Sequence, residues 1–262
     1  MNKIGIIGIG TVGSALLHWF KKKKDTKIYL YDKYKNIGSL RGIKKAEIIF
    51  ICVPTPYKEK EGYNLSYLNE AISYIEGEKV VVIKSTVLPG TTEKFQEKFP
   101  NLKFFFNPEF LSERTAIEDF ENPDRQIIGY VKSETLTIAD KIMEILPRAP
   151  FEVIVRANEA EMVKLFNNAF NAMKVIFANQ MYDLCKAFNI DYDTVKDCAS
   201  RSKFIGTSEH LEIFHKGYRG YGGKCLPKDV KALIEFAKMK NIKLQLIEMV
   251  DKINKELENG KY

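Results

Sequence analysis

The chain has 262 residues, 45% hydrophobic and 29% charged, with four cysteines and three histidines. That is the balance of a globular protein with room for one large or two ordinary domains. No apolar run approaches the ~18 residues of a membrane-spanning helix, the start lacks a signal-peptide pattern, and the cysteines show neither CxxC pairs nor metal-type spacing with the histidines, so a reduced, cytoplasmic protein without a metal centre is expected. The formal charge of +7 favours anionic partners without naming them. The one basic run, Lys21 to Lys24, ends a predicted helix without aromatic interleaving and reads as a solvated helix end rather than a nucleic-acid patch.

Residues 3–9 form a short buried strand by pattern, and Gly8-Ile9-Gly10-Thr11-Val12-Gly13 follows at once. An apolar helix pattern continues through Val12, Ala15, Leu16, Trp19 and Phe20. A second strand, 27–31, ends at Asp32. This is the dinucleotide fingerprint in its proper context: Gly8, Gly10 and Gly13 permit a tight turn and close backbone approach. Thr11 and Val12 open a helix whose N-terminus takes a pyrophosphate, and an acid about twenty residues on binds the ribose hydroxyls. Asp32 would repel a 2′-phosphate, which favours NAD over NADP, although Lys33 and Lys35 stand close by.

The alternation continues. Strand 46–53 ends in the rigid turn Pro54-Thr55-Pro56, a helix spans 65–75, and strand 79–84 carries three consecutive valines. Ser85-Thr86-Val87-Leu88-Pro89-Gly90-Thr91-Thr92 then caps another helix. Strand 103–106 leads into Asn107-Pro108-Glu109-Phe110-Leu111-Ser112-Glu113, followed by strand 126–130, helix 134–146 and strand 151–155. Strands alternating with helices predict an α/β, doubly wound, Rossmann-type parallel sheet over 1–155, with ligands at the carboxyl ends of its strands. Thr55, Thr86, Glu109 and Glu113 then border one crevice.

From Arg156 the pattern changes. Met162, Leu165, Phe166, Ala169, Phe170, Met173, Ile176, Phe177, Met181, Leu184, Cys185 and Phe188 recur every three or four residues, which predicts a helix of about thirty residues with a wide apolar face, ending near Asn189. A short helix over 191–199, an irregular loop over 200–223 and two helices beyond Pro227 complete an all-helical domain, 156–262. The last helix carries Leu246, Val250, Ile253 and Leu257 on one stripe and ends in Glu258-Asn259-Gly260-Lys261-Tyr262.

Tyr221-Gly222-Gly223-Lys224-Cys225-Leu226-Pro227-Lys228-Asp229 is a glycine-rich loop delivering a cysteine to the first turn of a helix, where Pro227 is accommodated. The helix N-terminus, Lys224 and Lys228 would all favour a thiolate, so Cys225 reads either as a nucleophile or as a cysteine in a capping turn. Asp229, four residues on, could orient a water near the sulfur. Lys164 and Asn168 share one helix face and could steady a hydroxyl or an oxyanion, or be a snorkelling lysine and a surface amide. Glu109 and Glu113 take the same spacing if 110–116 is helical, and could divide acid and base roles. Cys52, Cys185 and Cys198 sit in apolar patterns and read as inert core. No role as a ligand is assigned to His18, His210 or His215.

Gly8 to Gly13, Val53-Pro54-Thr55-Pro56, Ser85-Thr86-Val87-Leu88-Pro89-Gly90-Thr91, Asn107-Pro108-Glu109-Phe110-Leu111, Lys164 with Asn168, and Gly222 to Asp229 together resemble the UDP-glucose/GDP-mannose dehydrogenase family, in its order and over nearly the whole chain. The resemblance implies a cytoplasmic oxidoreductase of nucleotide-sugar and polysaccharide metabolism that forms a dimer through its helical domain. It oxidises the C6 hydroxyl of a nucleotide sugar to a carboxylate in two NAD-dependent steps. It implies that Cys225 attacks the C6 aldehyde to give a thiohemiacetal and then a thioester. Thr86 and Asp229 would position water, Lys164 and Asn168 would stabilise the oxyanion, and Glu109 or Glu113 would assist hydrolysis. NAD would meet Gly8, Gly10, Thr11, Val12, Gly13, Asp32, Pro54, Thr55, Thr86 and Lys228. The sugar nucleotide would meet Phe110, Leu111, Lys164, Asn168 and the loop with Tyr221, Gly222 and Gly223, whose wording favours UDP-glucose, giving UDP-glucuronate.

Two departures stand out. Phe204 occupies the place of an arginine that precedes Ile-Gly in the family, leaving Arg201 or Arg219 to make that contact. The chain also stops where the family continues into a third, UDP-binding domain. A non-catalytic NAD-binding or assembly protein, or a β-hydroxyacid dehydrogenase, are the alternative expectations; neither would use Cys225.

Overall fold

The computed structural model describes residues 1–206, 209–214 and 217–258. His215, parts of the predicted 200–223 loop, and the tail from Asn259 lie outside the described residues. By its contacts the chain forms two compact units, Met1–Pro56 with Tyr63–Lys164, and Tyr57–Gly62 with Leu165–Tyr262. The first turns of the long helix thus group with the sheet, because Ala157 and Ala160 are fully buried in its core.

The first unit alternates strands and helices: β1 (Asn2–Ile7), α1 (Thr11–Lys21), β2 (Thr26–Asp32), β3 (Ile37–Gly38), α2 (Leu40–Ile43) and β4 (Ile48–Ile51). A short hairpin, β5 (Tyr57–Lys58) and β6 (Gly62–Tyr63), interrupts this unit after the Pro54-Thr55-Pro56 turn; its residues Tyr57–Gly62 group with the second unit, and the hydrophobic pattern did not signal it. Then come α3 (Ser66–Ser73), β7 (Val80–Ile83), α4 (Thr91–Lys98), β8 (Lys103–Phe106), α5 (Ala116–Glu121), β9 (Arg125–Tyr130), α6 (Leu136–Ile145) and β10 (Phe151–Arg156). Eight strands pair in the order β10-β9-β8-β7-β4-β1-β2-β3. Side chains alternate across it: Ile49, Ile51, Val81, Ile83, Phe104 and Phe106 enter one core, and Phe50, Val82 and Phe105 the other. Each such fully buried side chain contributes roughly 1.5–3 kcal/mol, so both faces of these strands hold the sheet between helix layers.

The expected Rossmann-type sheet is parallel over most of its width, with reversals toward its two edges. β1, β2, β4, β7 and β8 run parallel, but β9 pairs antiparallel with β8, β10 follows β9, and the two-residue β3 opposes β2. A parallel return needs a crossover, usually a full helix. Between β8 and β9 the only helix is α5, of 6 residues, too short to carry the chain back across the sheet. The consequence matters for the site: the start of β9, with Arg125, lies at the edge where the parallel strands end.

The helix α7 (Ala157–Ala187) runs 31 residues. Its end is set by Asn189, which takes a positive φ of 55° while the Ile190 N–H bonds back to the Cys185 carbonyl at 2.9 Å, a closing turn that asparagine tolerates. In the second unit, α8 (Tyr192–Ser200) is capped by the Asp191 carboxylate, which accepts from the Asp193 and Thr194 N–H groups. The helices α9 (Leu226–Met239) and α10 (Gln245–Glu258) follow. Ala172, Val175 and Ile176 of α7 pack with Val230 and Ile234 of α9 and Val250 and Leu257 of α10. Leu246, expected on the same stripe, is exposed. The apolar face of α7 is wider than this core uses: Phe166, Phe170, Phe177, Leu184 and Phe188 are all exposed.

Candidate functional site: a dinucleotide cradle and a cysteine loop

At the end of β1, Gly8 takes φ +89°, and a Cβ there would come within 2.7 Å of the Cys52 carbonyl. A Cβ on Gly13 would meet the Gly8 carbonyl oxygen at 2.0 Å, so α1 can approach the turn only without a side chain. Gly10 opens onto empty space, α1 has no side-chain cap, and no acid stands in its first turn. The amides of Thr11 and Val12 therefore head a helix end suited to a pyrophosphate. Asp32 accepts from the Ile9 N–H at 2.8 Å with one oxygen, and from the Tyr34 and Lys35 N–H groups at 3.1 and 2.9 Å with the other. A carboxylate has lone pairs left for ribose hydroxyls. Lys35 donates to the Ile9 carbonyl and Lys33 pairs with Glu70, so both lysines beside Asp32 are engaged within the protein. These residues fit NAD.

Along the strand ends, Thr55 Oγ1 donates to the Thr86 carbonyl at 2.6 Å and Ser85 Oγ to the Val53 carbonyl at 2.7 Å, binding the two turns together. Pro54 is exposed beside them. Glu109 and Lys164 form a buried ion pair at 2.9 Å. Burial alone would raise the Glu109 carboxyl; the Lys164 ammonium and the Leu111 N–H, with Lys84 behind, outweigh it and hold the group below the usual carboxylate range. Glu109 is thus held in its ionised, unprotonated form at neutral pH. The Phe110 ring lies 3.8 Å from the Arg125 guanidinium and 5.6 Å from Lys164 Nζ, while Leu111 packs on the second sheet core. The helix expected over 110–116 does not form: α5 begins at Ala116, so Glu109 and Glu113 share no helix face, and Glu113 is exposed. The Leu111 N–H turns back to Glu109 Oε2 and the Ser112 N–H goes to Asp119, which bends the segment out of helix.

Two buried charges escaped the sequence reading. Lys84, at the end of β7, donates to Asn107 Oδ1 at 2.5 Å, and burial pushes its ammonium down to about 8. Glu161 is fully buried and accepts from the Gly90 N–H at 2.6 Å, the Thr92 N–H at 2.8 Å and Thr92 Oγ1 at 2.6 Å. Burial pushes it up to about 7 against the pull of those donors, with Glu93 adding repulsion. The expected cap of α4 from its own Ser/Thr residues is absent; Gly90 caps without a side chain and Glu161 supplies the acceptors. The available signal was an acid and a base standing on otherwise apolar elements.

In the second unit, Cys225 is the exposed N-cap residue of α9, and the Asp229 N–H bonds to its carbonyl at 3.0 Å. Asp229 is 2% exposed and lies between Lys228 Nζ and Asn168 Nδ2, each at 2.5 Å. Asn168, Lys228 and Asp229 are therefore one cluster, a turn from the sulfur. Tyr221 is buried in the helical core, its N–H and carbonyl both held by the Asn254 carboxamide, and its hydroxyl has no partner among the described residues. Its side chain therefore serves the core. Gly222 admits no Cβ, since Tyr218 Oη would be 2.4 Å away, whereas Gly223 is open. Arg219 ties this loop to α7 through Asn179 and Asp183, which commits it within the unit, and Arg201 is exposed. Of the cysteines expected in the core, Cys185 is buried and Cys52 largely so, its thiol pushed up to about 12 by burial, but Cys198 is exposed because α8 turns that face to solvent. Among the described residues no group of three or more His, Cys, Asp or Glu could hold a metal, and no helix is long and apolar enough to cross a membrane.

Comparison with known proteins follows this geometry. A UDP-glucose 6-dehydrogenase of Rickettsia bellii is 36% identical over 223 residues, covering 82% of this chain and 50% of the relative. The structure of a UDP-glucose dehydrogenase from the archaeon Pyrobaculum islandicum superposes with a TM-score of 0.85 at 25% identity, over 97% of this chain and 68% of that one. A 3-hydroxyisobutyrate dehydrogenase of Mycobacterium tuberculosis shares the fold, with a TM-score of 0.75 at 12% identity, over 98% of this chain and 93% of that one. The chain spans about half the length of the curated relatives it matches. Residues 35–146 match the NAD binding domain and residues 158–256 the central domain of one family, in that order, and the chain belongs to the UDP-glucose/GDP-mannose dehydrogenase family.

Proposed function

We propose that the protein oxidises the C6 hydroxyl of a nucleotide sugar to a carboxylate, with UDP-glucose as the preferred substrate and UDP-glucuronate as the product. The observation that carries this reading is the exposed Cys225 at the head of α9, with Asp229 buried one turn on between Asn168 and Lys228. The Gly8–Gly13 turn and Asp32 would hold NAD, which would supply the hydride acceptor for both oxidations. The Cys225 thiolate adds to the C6 aldehyde left by the first oxidation, and loss of a second hydride from the thiohemiacetal leaves a thioester. Lys164 and Asn168 steady the oxyanion. In the roles that membership of the family implies, Thr86 and Asp229 would position water, and the Glu109 carboxylate would take a proton from the water that attacks the thioester and releases the sulfur. Glu113, exposed and off the expected helix, has the weaker claim to that role. Membership of the family assigns Phe110, Leu111 and the Gly222–Gly223 turn to sugar binding.

The apolar stripe from Phe166 to Phe188 supports a homodimer through α7, since a run of large exposed apolar side chains on one helix is a surface to be covered. The reading is tested by a panel of nucleotide sugars with NADH release as the readout. NADH formation with UDP-glucose, at two per sugar, is the expected result. Tight NAD binding with no NADH from any sugar would assign a binding role instead.

A further inference from the structure

We infer that Glu161 is a positioning residue that fixes the Thr86 loop against the helix carrying Lys164, and so sets the distance between two groups proposed to act on the same substrate. The inference rests on the proposed function for its catalytic consequence, but its geometry stands within the first unit. Thr86 lies in the segment joining β7 to α4. One side of that segment is held by Thr55, whose hydroxyl donates to the Thr86 carbonyl at 2.6 Å. The other side, where the chain enters α4, is held from α7: Glu161 accepts from the Gly90 N–H, the Thr92 N–H and the Thr92 hydroxyl at 2.6–2.8 Å.

Glu161 is 0% exposed and Thr92 is 0% exposed, so no solvent can replace these bonds. Ala157, Ala160, Glu161 and Lys164 recur at helical spacing and are all buried, which seats this face of α7 on the sheet. Gly129 of β9 admits that seat, since a Cβ there would come within 2.8 Å of Ala157 Cα. Lys164, three residues beyond Glu161, pairs with Glu109 at 2.9 Å. One carboxyl group thus joins the Thr86 turn, the α4 N-terminus and the helix of Lys164, and its own role is to position rather than to touch substrate.

The test uses Glu161→Gln and Thr92→Val in the full chain, each checked for folding by circular dichroism and a cooperative melt. The Val variant removes one hydroxyl donor and keeps the shape, so it reports even if the Gln variant fails to fold. Amide exchange over residues 90–92 should accelerate at least about tenfold in the Gln variant. At saturating NAD, kcat should fall about tenfold or more in Glu161→Gln and a few-fold in Thr92→Val, with KM for the nucleotide sugar moving less than about threefold. Folded variants with wild-type kcat would overturn the inference, and so would unchanged amide exchange. If the wild-type protein turns over no nucleotide sugar, the proposed function fails, and the exchange measurement alone still decides whether Glu161 holds the loop.

Discussion

Asp229 and Glu161 are both carboxylates with almost no exposure, yet their surroundings ask different things of them. Asp229 has a lysine and an amide on its two oxygens. Glu161 has three donors and no cation at hydrogen-bonding distance among the described residues, so burial dominates and moves it from an ordinary 4.5 to about 7. A carboxyl raised on folding stabilises the fold fully below the unfolded value, and that contribution is lost as pH rises through the folded value. The window is therefore about pH 4.5 to 7, and the shift corresponds to on the order of 3 kcal/mol. The difference in melting temperature between wild type and Glu161→Gln should shrink or reverse sign from pH 4.5 to 7.5; a constant difference would refute the assignment. Lys164 with Asn168, four apart on α7, and Cys225 with Asp229, four apart at the head of α9, were legible as pairs because spacing on a helix carries directly into space. Glu113 and Tyr221 were not. Glu113 depended on a helix that backbone bonds to Glu109 and Asp119 prevent, and Tyr221 on a loop whose side chains choose between ligand and core only in three dimensions.

At the level of elements, hydrophobic period was a good guide to what forms and a poor one to direction. The buried strand of valines at β7 and the three phenylalanines of β8 announced themselves, as did α7, predicted to within two residues of its end. The reversal of β9 left no trace in pattern, because a strand buried on both faces reads the same in either sense. Only the shortness of α5 encodes it. The β1–α1 turn is the element proposed to carry the cofactor, and it tolerates no side chain at Gly13. Gly13→Ala forces its methyl group into the Gly8 carbonyl, so the turn must open. Titration with NADH by fluorescence should show affinity lost by at least about tenfold, roughly 1.4 kcal/mol, together with a lowered melting temperature. Unaltered affinity would mean that the turn does not hold the pyrophosphate.

For the whole molecule, two surfaces remain to be matched to function. The exposed aromatic stripe of α7 predicts self-association: Phe177→Asp, on a side chain 59% exposed, should convert a dimer to a monomer in sedimentation without changing NAD affinity. A wild-type monomer at tens of micromolar would remove the dimer from the account. The residues that fit NAD lie in the first unit, and the cysteine loop with its Asn168–Asp229–Lys228 cluster lies in the second. The proposed thioester gives a chemical reason for a cysteine at the head of α9. The direct measurement is NADH released per UDP-glucose consumed, in wild type and in Cys225→Ser. The account predicts two per sugar for wild type, and loss of complete turnover with NAD binding intact for the serine variant; two NADH per sugar at an undiminished rate without the thiol would contradict it.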